Sequence, residues 1–241
     1  MSALLSVDGV SKRFRGLVAV DRVSFEVPEG GIYAVIGPNG AGKTTLFNMI
    51  AGLFAPDSGS MRFAGERIDG LPPDRVCRRG IGRTFQIVRP FPALTVEDNV
   101  IVGALLRRHR VDAARAHAHD VLRRLDLYDK RSQRASSLTL PDRKRLEVAR
   151  ALAGDPKLLL LDEVMAGLRP TETDRIVAIL RELNRETGLT ILLIEHVMRA
   201  VMALAAHILV LHHGAAIAEG APAKVVQDPA VIHSYLGVEA I

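Results

Sequence analysis

Near the N-terminus, apolar and polar positions alternate. LLSVDGV and VSFEV are read as antiparallel strands with one face buried and one in water. GIYAVIG breaks the alternation with a nearly continuous apolar run stopped by glycine, the pattern of a strand covered on both faces. TTLFNMIAGLF spaces its apolar residues three and four apart and is closed by a Pro-Asp-Ser-Gly turn, so it is expected to be helical. MRFAGERI reads as a further edge strand.

Between residues 90 and 155 the pattern is helical. VEDNVIVGALLRRH, DAARAHAHDVLRRLDL and LTLPDRKRLEVARAL all repeat at three-to-four spacing, which implies a helical subdomain inserted into a core made of 1–89 and 156–241. Strands KLLLL, LTILLI and HILVLH follow, interleaved with helices ETDRIVAILRELNRETG and EHVMRAVMALAA. Strand–helix alternation requires crossovers and a parallel sheet. The expected fold is α/β in one domain: a mixed core sheet, an antiparallel β region and the helical insert.

Composition narrows the classes. With 48% hydrophobic and 24% charged residues the chain is a globular protein, not a disordered one. Mean hydropathy is slightly positive at +0.16. Even so, the longest apolar candidate, around 197–211, carries Arg199 and His207 and falls short of the roughly 18 clean residues a span needs. The start, MSALLSVDGVSKRF, lacks the basic-then-apolar layout of a signal peptide. Cys77 is the single cysteine, so no internal disulfide forms and a reducing cytoplasm is the expected setting.

Charge is unevenly spread. Residues 75–150 hold 18 Lys/Arg against 8 Asp/Glu, whereas the remainder holds 14 against 19. A basic block suits nucleic acid, an anionic membrane surface or an acidic partner, but solvated helix faces explain most such arginines. Only 4% of residues are aromatic and none is Trp, so platforms for base stacking are scarce and no nucleic-acid partner is expected.

The strongest chemical signal is GPNGAGKTT: Gly37, Pro38, Asn39, Gly40, Ala41, Gly42, Lys43, Thr44 and Thr45. It fits the phosphate-loop pattern in the required place, after a buried strand and at the head of a helix. Its glycines let backbone N–H groups aim at phosphate oxygens, and the helix N-terminus adds positive potential. Lys43 would reach the β- and γ-phosphates, and the Thr44 hydroxyl would ligate Mg²⁺. KLLLLDE supplies the matching acids: Asp162 at the carboxyl end of a buried strand to hold the metal, then Glu163 to orient or deprotonate water. TILLIEH ends another strand at His196, beside the phosphate site if the two strands are neighbours.

The set GPNGAGKTT, RTFQ, LLLLDE and ILLIEH, in this order over nearly the whole chain, resembles the nucleotide-binding subunit of an ABC transporter, a P-loop NTPase. The resemblance implies ATP and Mg²⁺ as cofactors, with Phe14 stacking on adenine and Gln86 touching Mg²⁺ and relaying nucleotide state to a membrane partner. It further implies Asp162 as metal ligand, Glu163 as the catalytic glutamate and His196 as the γ-phosphate contact. RPFPALTVEDNV, LLLLDEVMAGLRPTE, ILLIEHVMRAVM and the tail DPAVIHSYLG are similar, more narrowly, to ATPases of branched-chain amino acid uptake. Two membrane permease subunits, a second related ATPase and a periplasmic binding protein are then the implied partners, and the cytoplasmic face of the inner membrane the implied place. Two alternatives stay open here: the ATPase of a lipid or lipopolysaccharide transporter, and a non-transport ABC ATPase acting on nucleic acid.

The chain departs from the family pattern at its signature. Where the family has Leu-Ser-Gly-Gly-Gln, this sequence has Leu138, Thr139, Leu140, Pro141 and Asp142. In the family this segment closes over the second subunit's ATP. Thr139 keeps a hydroxyl, but Pro141 has no N–H to donate. After Glu163, Val164 replaces the usual proline, and Arg169 stands where the family has an acid. Intact chemistry at its own site beside an altered signature implies a heterodimer with unequal sites.

Overall fold

The computed structural model describes residues 3–86 and 88–236, so Met1, Ser2 and Gly237 of the quoted segments lie outside the described residues. The opening alternation becomes two long strands, β1 (Ala3–Phe14) and β2 (Leu17–Pro28), paired antiparallel with Leu5 opposite Val27 and Val7 opposite Phe25. Their alternate side chains are buried, including Leu5, Val7, Val23 and Val27. On the other edge of β1 lies β4 (Ser58–Phe63), followed by β5 (Glu66–Arg67), and the order is β2-β1-β4-β5. MRFAGERI is therefore a tight hairpin and not one strand: Ala64 and Gly65 both take positive φ and reverse the chain.

The second sheet contains β3 (Ile32–Ile36), β6 (Ile81–Arg83), β7 (Leu158–Asp162), β8 (Thr190–Ile194), β9 (His207–His212) and β10 (Ala215–Gly220), in the order β10-β9-β3-β8-β7-β6. All neighbours are parallel except β10 with β9. The two edge strands were not expected from the pattern. β6 has only three residues, and half of β10 is alanine, so neither carries a readable period.

Nine helices occur among the described residues: α1 (Lys43–Ile50), α2 (Pro73–Arg79), α3 (Val96–Ala104), α4 (Val111–Arg124), α5 (Leu140–Leu152), α6 (Pro170–Thr187), α7 (Met198–Leu204), α8 (Pro222–Val225) and α9 (Pro229–Leu236). α2 escaped the sequence reading because it buries only Val76, although Pro73 in its first turn and Gly80 at φ 108 mark both ends. α7 starts later than expected. Glu195, read as helical, is fully buried and its Oε1 accepts the Met165 N–H at 2.9 Å.

The continuous apolar strands are explained by two-sided burial. Leu158 and Leu160 of β7 face α1 and the antiparallel sheet, while Leu159 and Leu161 face the layer of α3 to α7. The expected subdomain limits, 90 and 155, fall between β6 and α3 and between α5 and β7. Within this segment α3 meets α5 so closely that a Cβ on Gly103 would stand 2.3 Å from the Arg150 carbonyl oxygen.

The basic segment is less solvated than its charge implied. Asp142, Lys144, Arg145 and Glu147 of α5 are all buried. Elsewhere in the block Arg108 pairs with Asp155 at 2.5 Å, Arg124 with Glu186 at 3.0 Å, and Arg123 and Arg131 lie over the Tyr128 ring.

Candidate active site

Strand order decides what meets at this site. β8 lies between β3 and β7, with Val35 and Asp162 both opposite Ile194. The loop leaving β3, the acids leaving β7 and the Glu195–His196 pair leaving β8 therefore emerge along one carboxyl edge, where α/β sheets hold ligands.

The phosphate loop needs its glycines for room as well as for φ. Gly37 and Gly42 have φ 147 and 100, and a Cβ there would stand 2.1 Å from the Leu211 oxygen and 2.3 Å from the Ala19 oxygen. α1 begins directly at Lys43, and no side chain caps it, so its first N–H groups face the loop as free donors. Lys43 is buried, and its Nζ donates to the carbonyls of Gly37 at 2.8 Å and Pro38 at 2.9 Å. Burial pulls its pKa below the ordinary lysine value, against the opposing pull of Glu163 and Asp162.

A cavity of about 470 Å³ opens over this loop. Asn39 to Thr45 form its floor; Phe14, Gln86, Glu163 and His213 lie around it. Phe14 is partly exposed at the end of β1, with its ring edge-on to Phe54 at 5.2 Å. Gln86 Nε2 donates to Glu163 Oε2 at 2.8 Å. His196 is largely exposed, with Nδ1 3.9 Å from Glu163 Oε1. Glu163 itself takes φ 50, a left-handed conformation costly for a residue with a Cβ. Its N–H donates to the Ile194 carbonyl at 3.0 Å.

Asp162 is buried behind Glu163. Its Oδ2 accepts from Arg83 Nη2 at 3.1 Å, and Arg83 also donates to Asn48 of α1 at 2.7 Å. Oδ1 is buried without a partner. Burial raises the Asp162 pKa above the usual carboxylate value, with Arg83 pulling the other way. An orphaned, buried carboxylate oxygen at the sheet edge that also carries the phosphate loop, with Thr44 exposed on α1, is a donor set that fits a hard divalent cation.

The signature slot is elsewhere. Thr139 and Leu140 are exposed and Pro141 half-buried at the head of α5, outside the phosphate-loop cavity. Asp142 corrects the sequence reading: it is buried, bonded to Lys130, Arg145 and the Thr139 hydroxyl, and presents no carboxylate outward. Two basic groups, Lys130 and Arg145, and the Thr139 hydroxyl hold it inward. Arg169 likewise stays within its own chain: at the head of α6 its backbone N–H and its guanidinium both donate to the Glu172 carboxylate.

Sequence reasoning missed His213, Arg83 and Lys144. His213 sits on the β9–β10 turn, which only the tertiary fold carries to the cavity. Arg83 had a signal in the RTFQ segment, and Lys144 had none beyond its place in a basic run.

Comparison with known proteins agrees with this geometry. Residues 20–166 match the ABC transporter family, and residues 217–241 match the family described as branched-chain amino acid ATP-binding cassette transporter. The chain is similar to the high-affinity branched-chain amino acid transport ATP-binding protein BraF of Pseudomonas aeruginosa, 39% identical over 250 residues, 97% of this chain and 98% of that one. To LivG of Escherichia coli, of the same description, it is 39% identical over 249 residues, with the same coverage. Among solved structures, a nucleotide-free ATP-binding cassette from an ABC transporter superposes with TM-score 0.89 at 31% identity, covering 98% of this chain and 100% of that one.

Proposed function

The chain belongs to the ABC transporter ATP-binding family and is an ATPase, and on that premise we propose that it powers uptake of branched-chain amino acids or a related small polar solute through separate permease subunits. One observation carries the reading: the phosphate loop, Gln86 and Glu163 converge on one cavity in a chain whose end matches the branched-chain subgroup. The basic block, largely paired within the chain, offers little to a nucleic-acid partner.

ATP lies with its phosphates on the N–H groups of the loop and α1, and Lys43 exchanges its two carbonyl partners for phosphate oxygens. Phe14 stands at the mouth to stack on adenine. Thr44 and Asp162 would hold Mg²⁺, which would supply positive charge against the β- and γ-phosphates. Glu163 takes the proton of the water that attacks the γ-phosphorus, as the bond to the leaving ADP oxygen breaks. Gln86 holds Glu163 Oε2 and so fixes which carboxylate oxygen is turned to the water. His196, with Nδ1 3.9 Å from Glu163 Oε1, contacts the γ-phosphate.

Two such subunits close around ATP, the second supplying its signature to this chain's site while Thr139, Leu140 and Pro141 face the other. With no N–H at Pro141, one charge-assisted bond is lost, worth roughly 1.5–3 kcal/mol or about tenfold to a hundredfold. We infer unequal sites in a heterodimer at the cytoplasmic face of the membrane, with a periplasmic binding protein delivering solute. Residues 88–91 are read as the part that reports closure to a permease. Its Arg89 N–H is held by Glu147 of α5 at 2.7 Å, and Phe85 and Phe91 are exposed on either side of it.

The test is uptake of a radiolabelled branched-chain amino acid by the reconstituted transporter. Lys43→Ala is expected to abolish it together with ATP binding; retained uptake overturns the mechanism. Brisk hydrolysis by this chain purified alone, abolished by Glu163→Gln, overturns the unequal-site reading.

A further inference from the structure

Lys144 lies in the second turn of α5, on the helix whose head is the signature slot, and is buried. A lysine has three donors and no acceptor, so burial demands oxygen partners for it. Its Nζ donates to the main-chain carbonyl of Glu163 at 2.9 Å and lies 3.5 Å from that of Gln86, a weaker second contact. Both residues are those whose side chains bond each other at the cavity. Glu195, Glu163, Asp162 and Glu147 surround the ammonium and favour its charge, against the desolvation that lowers its pKa.

Glu163 needs such an anchor. Its backbone is left-handed, a conformation that persists only where surroundings over-determine it. The Ile194 carbonyl fixes its N–H and Lys144 fixes its C=O, one on each side of the strained residue. The loop beyond it is held in the same way. Glu195 takes the Met165 N–H, and a Cβ on Gly167 would lie 3.6 Å from Leu140 Cδ2, so the head of α5 rests against this loop.

We propose that Lys144 is a positioning residue that ties the signature helix to the Glu163 and Gln86 backbones, so that the partner's docking on Thr139 and Leu140 sets the alignment of this chain's own catalytic carboxylate. The inference rests on the reading of Glu163 as the water-orienting acid. Lys144 does not line the phosphate-loop cavity. Its effect runs through the geometry of Glu163, and a shift of α5 reaches that geometry through a single rigid turn of helix.

The experiment measures steady-state ATP hydrolysis and equilibrium ADP binding of the full transporter carrying Lys144→Met, Lys144→Arg, Glu163→Gln, or Lys144→Met with Glu163→Gln. Lys144→Met is expected to lower kcat by about tenfold or more while KM and ADP affinity stay within about twofold, the pattern of a lost transition-state interaction. Lys144→Arg, which can donate to the same carbonyls, is expected to recover at least about a third of kcat, and Lys144→Met is expected to add nothing in the Glu163→Gln background. A wild-type rate for Lys144→Met, a parallel loss of ADP affinity, or full additivity with Glu163→Gln overturns the inference. If Lys144→Met does not fold, Lys144→Arg decides: a kcat below about a tenth with ADP binding intact, against the carbonyl-donor logic, overturns it. Full hydrolysis by Glu163→Gln instead overturns the functional reading beneath it.

Discussion

Replacing Asp142 by Asn tests whether the altered signature has become part of the protein's own framework. The carboxylate is buried with both oxygens used, Oδ1 by Arg145 and Oδ2 by Lys130 and the Thr139 hydroxyl at 2.9 Å. Asn keeps the shape, removes the charge and turns an N–H toward one of these donors. Arg145, itself only 7% exposed at its side chain, then loses its main counter-charge and keeps only the carbonyls of Leu125 and Asp126 and the Asp126 carboxylate at 3.4 Å. Breaking a buried pair on one side costs roughly 3–5 kcal/mol. Lys130 is 39% exposed at its side chain, so water screens that arm, and the low end, about 3 kcal/mol, is expected. For a chain of this size each kcal/mol moves the thermal midpoint by about 2–4 °C, giving a fall of about 6–12 °C.

The pH dependence has a definite sign. Burial alone would raise the Asp142 pKa; the bonds from Lys130 and Thr139 and the Arg145 charge outweigh it and hold it below the ordinary value. A depressed folded-state pKa contributes stability in full above the unfolded pKa near about 3.9, lost as pH falls through the folded value. The gap between wild type and Asp142→Asn is therefore constant from about pH 5 to 8 and narrows below about pH 4. Urea unfolding across that range measures it. A loss below about 1 kcal/mol at neutral pH, the size of an exposed pair, or a gap unchanged by acid, refutes this assignment.

Two further outcomes follow from the cavity. Gly42→Ala places a Cβ 2.3 Å from the Ala19 oxygen at φ 100, so the loop must deform; ATP affinity, read by titration calorimetry, is expected to fall by about tenfold or more. Phe14→Ala removes an aromatic partner worth about 0.5–1.5 kcal/mol, so affinity for ATP is expected to fall by roughly twofold to tenfold while that for inorganic triphosphate is unchanged. Equal losses for both ligands would place Phe14 away from the base.

Much of this protein is legible without coordinates. The phosphate loop is local: Gly37 to Thr45 carry their own turn, and the strand before and helix after it are written in adjacent residues. The buried strands are local too, since two-sided burial leaves an unbroken apolar run such as Leu158 to Leu161. Asp162, Glu163 and His196 are readable as strand ends. The edge strands β6 and β10 and the short helix α2 are not, because a few small or exposed residues have no period to detect.

Only the tertiary fold decided what the charges of α5 do. A basic helix on paper reads as a solvated face, and nothing in the order of Asp142, Lys144, Arg145 and Glu147 says that all four turn inward. Their partners, Lys130, the Glu163 carbonyl, Asp126 and Arg89, come from outside α5, with Arg89 lying 58 residues from Glu147 in sequence. Alternation and helical spacing record how much of each residue meets water on average. Which buried charge meets which oxygen depends on how separate elements are stacked, and that is settled when the layers close around α5.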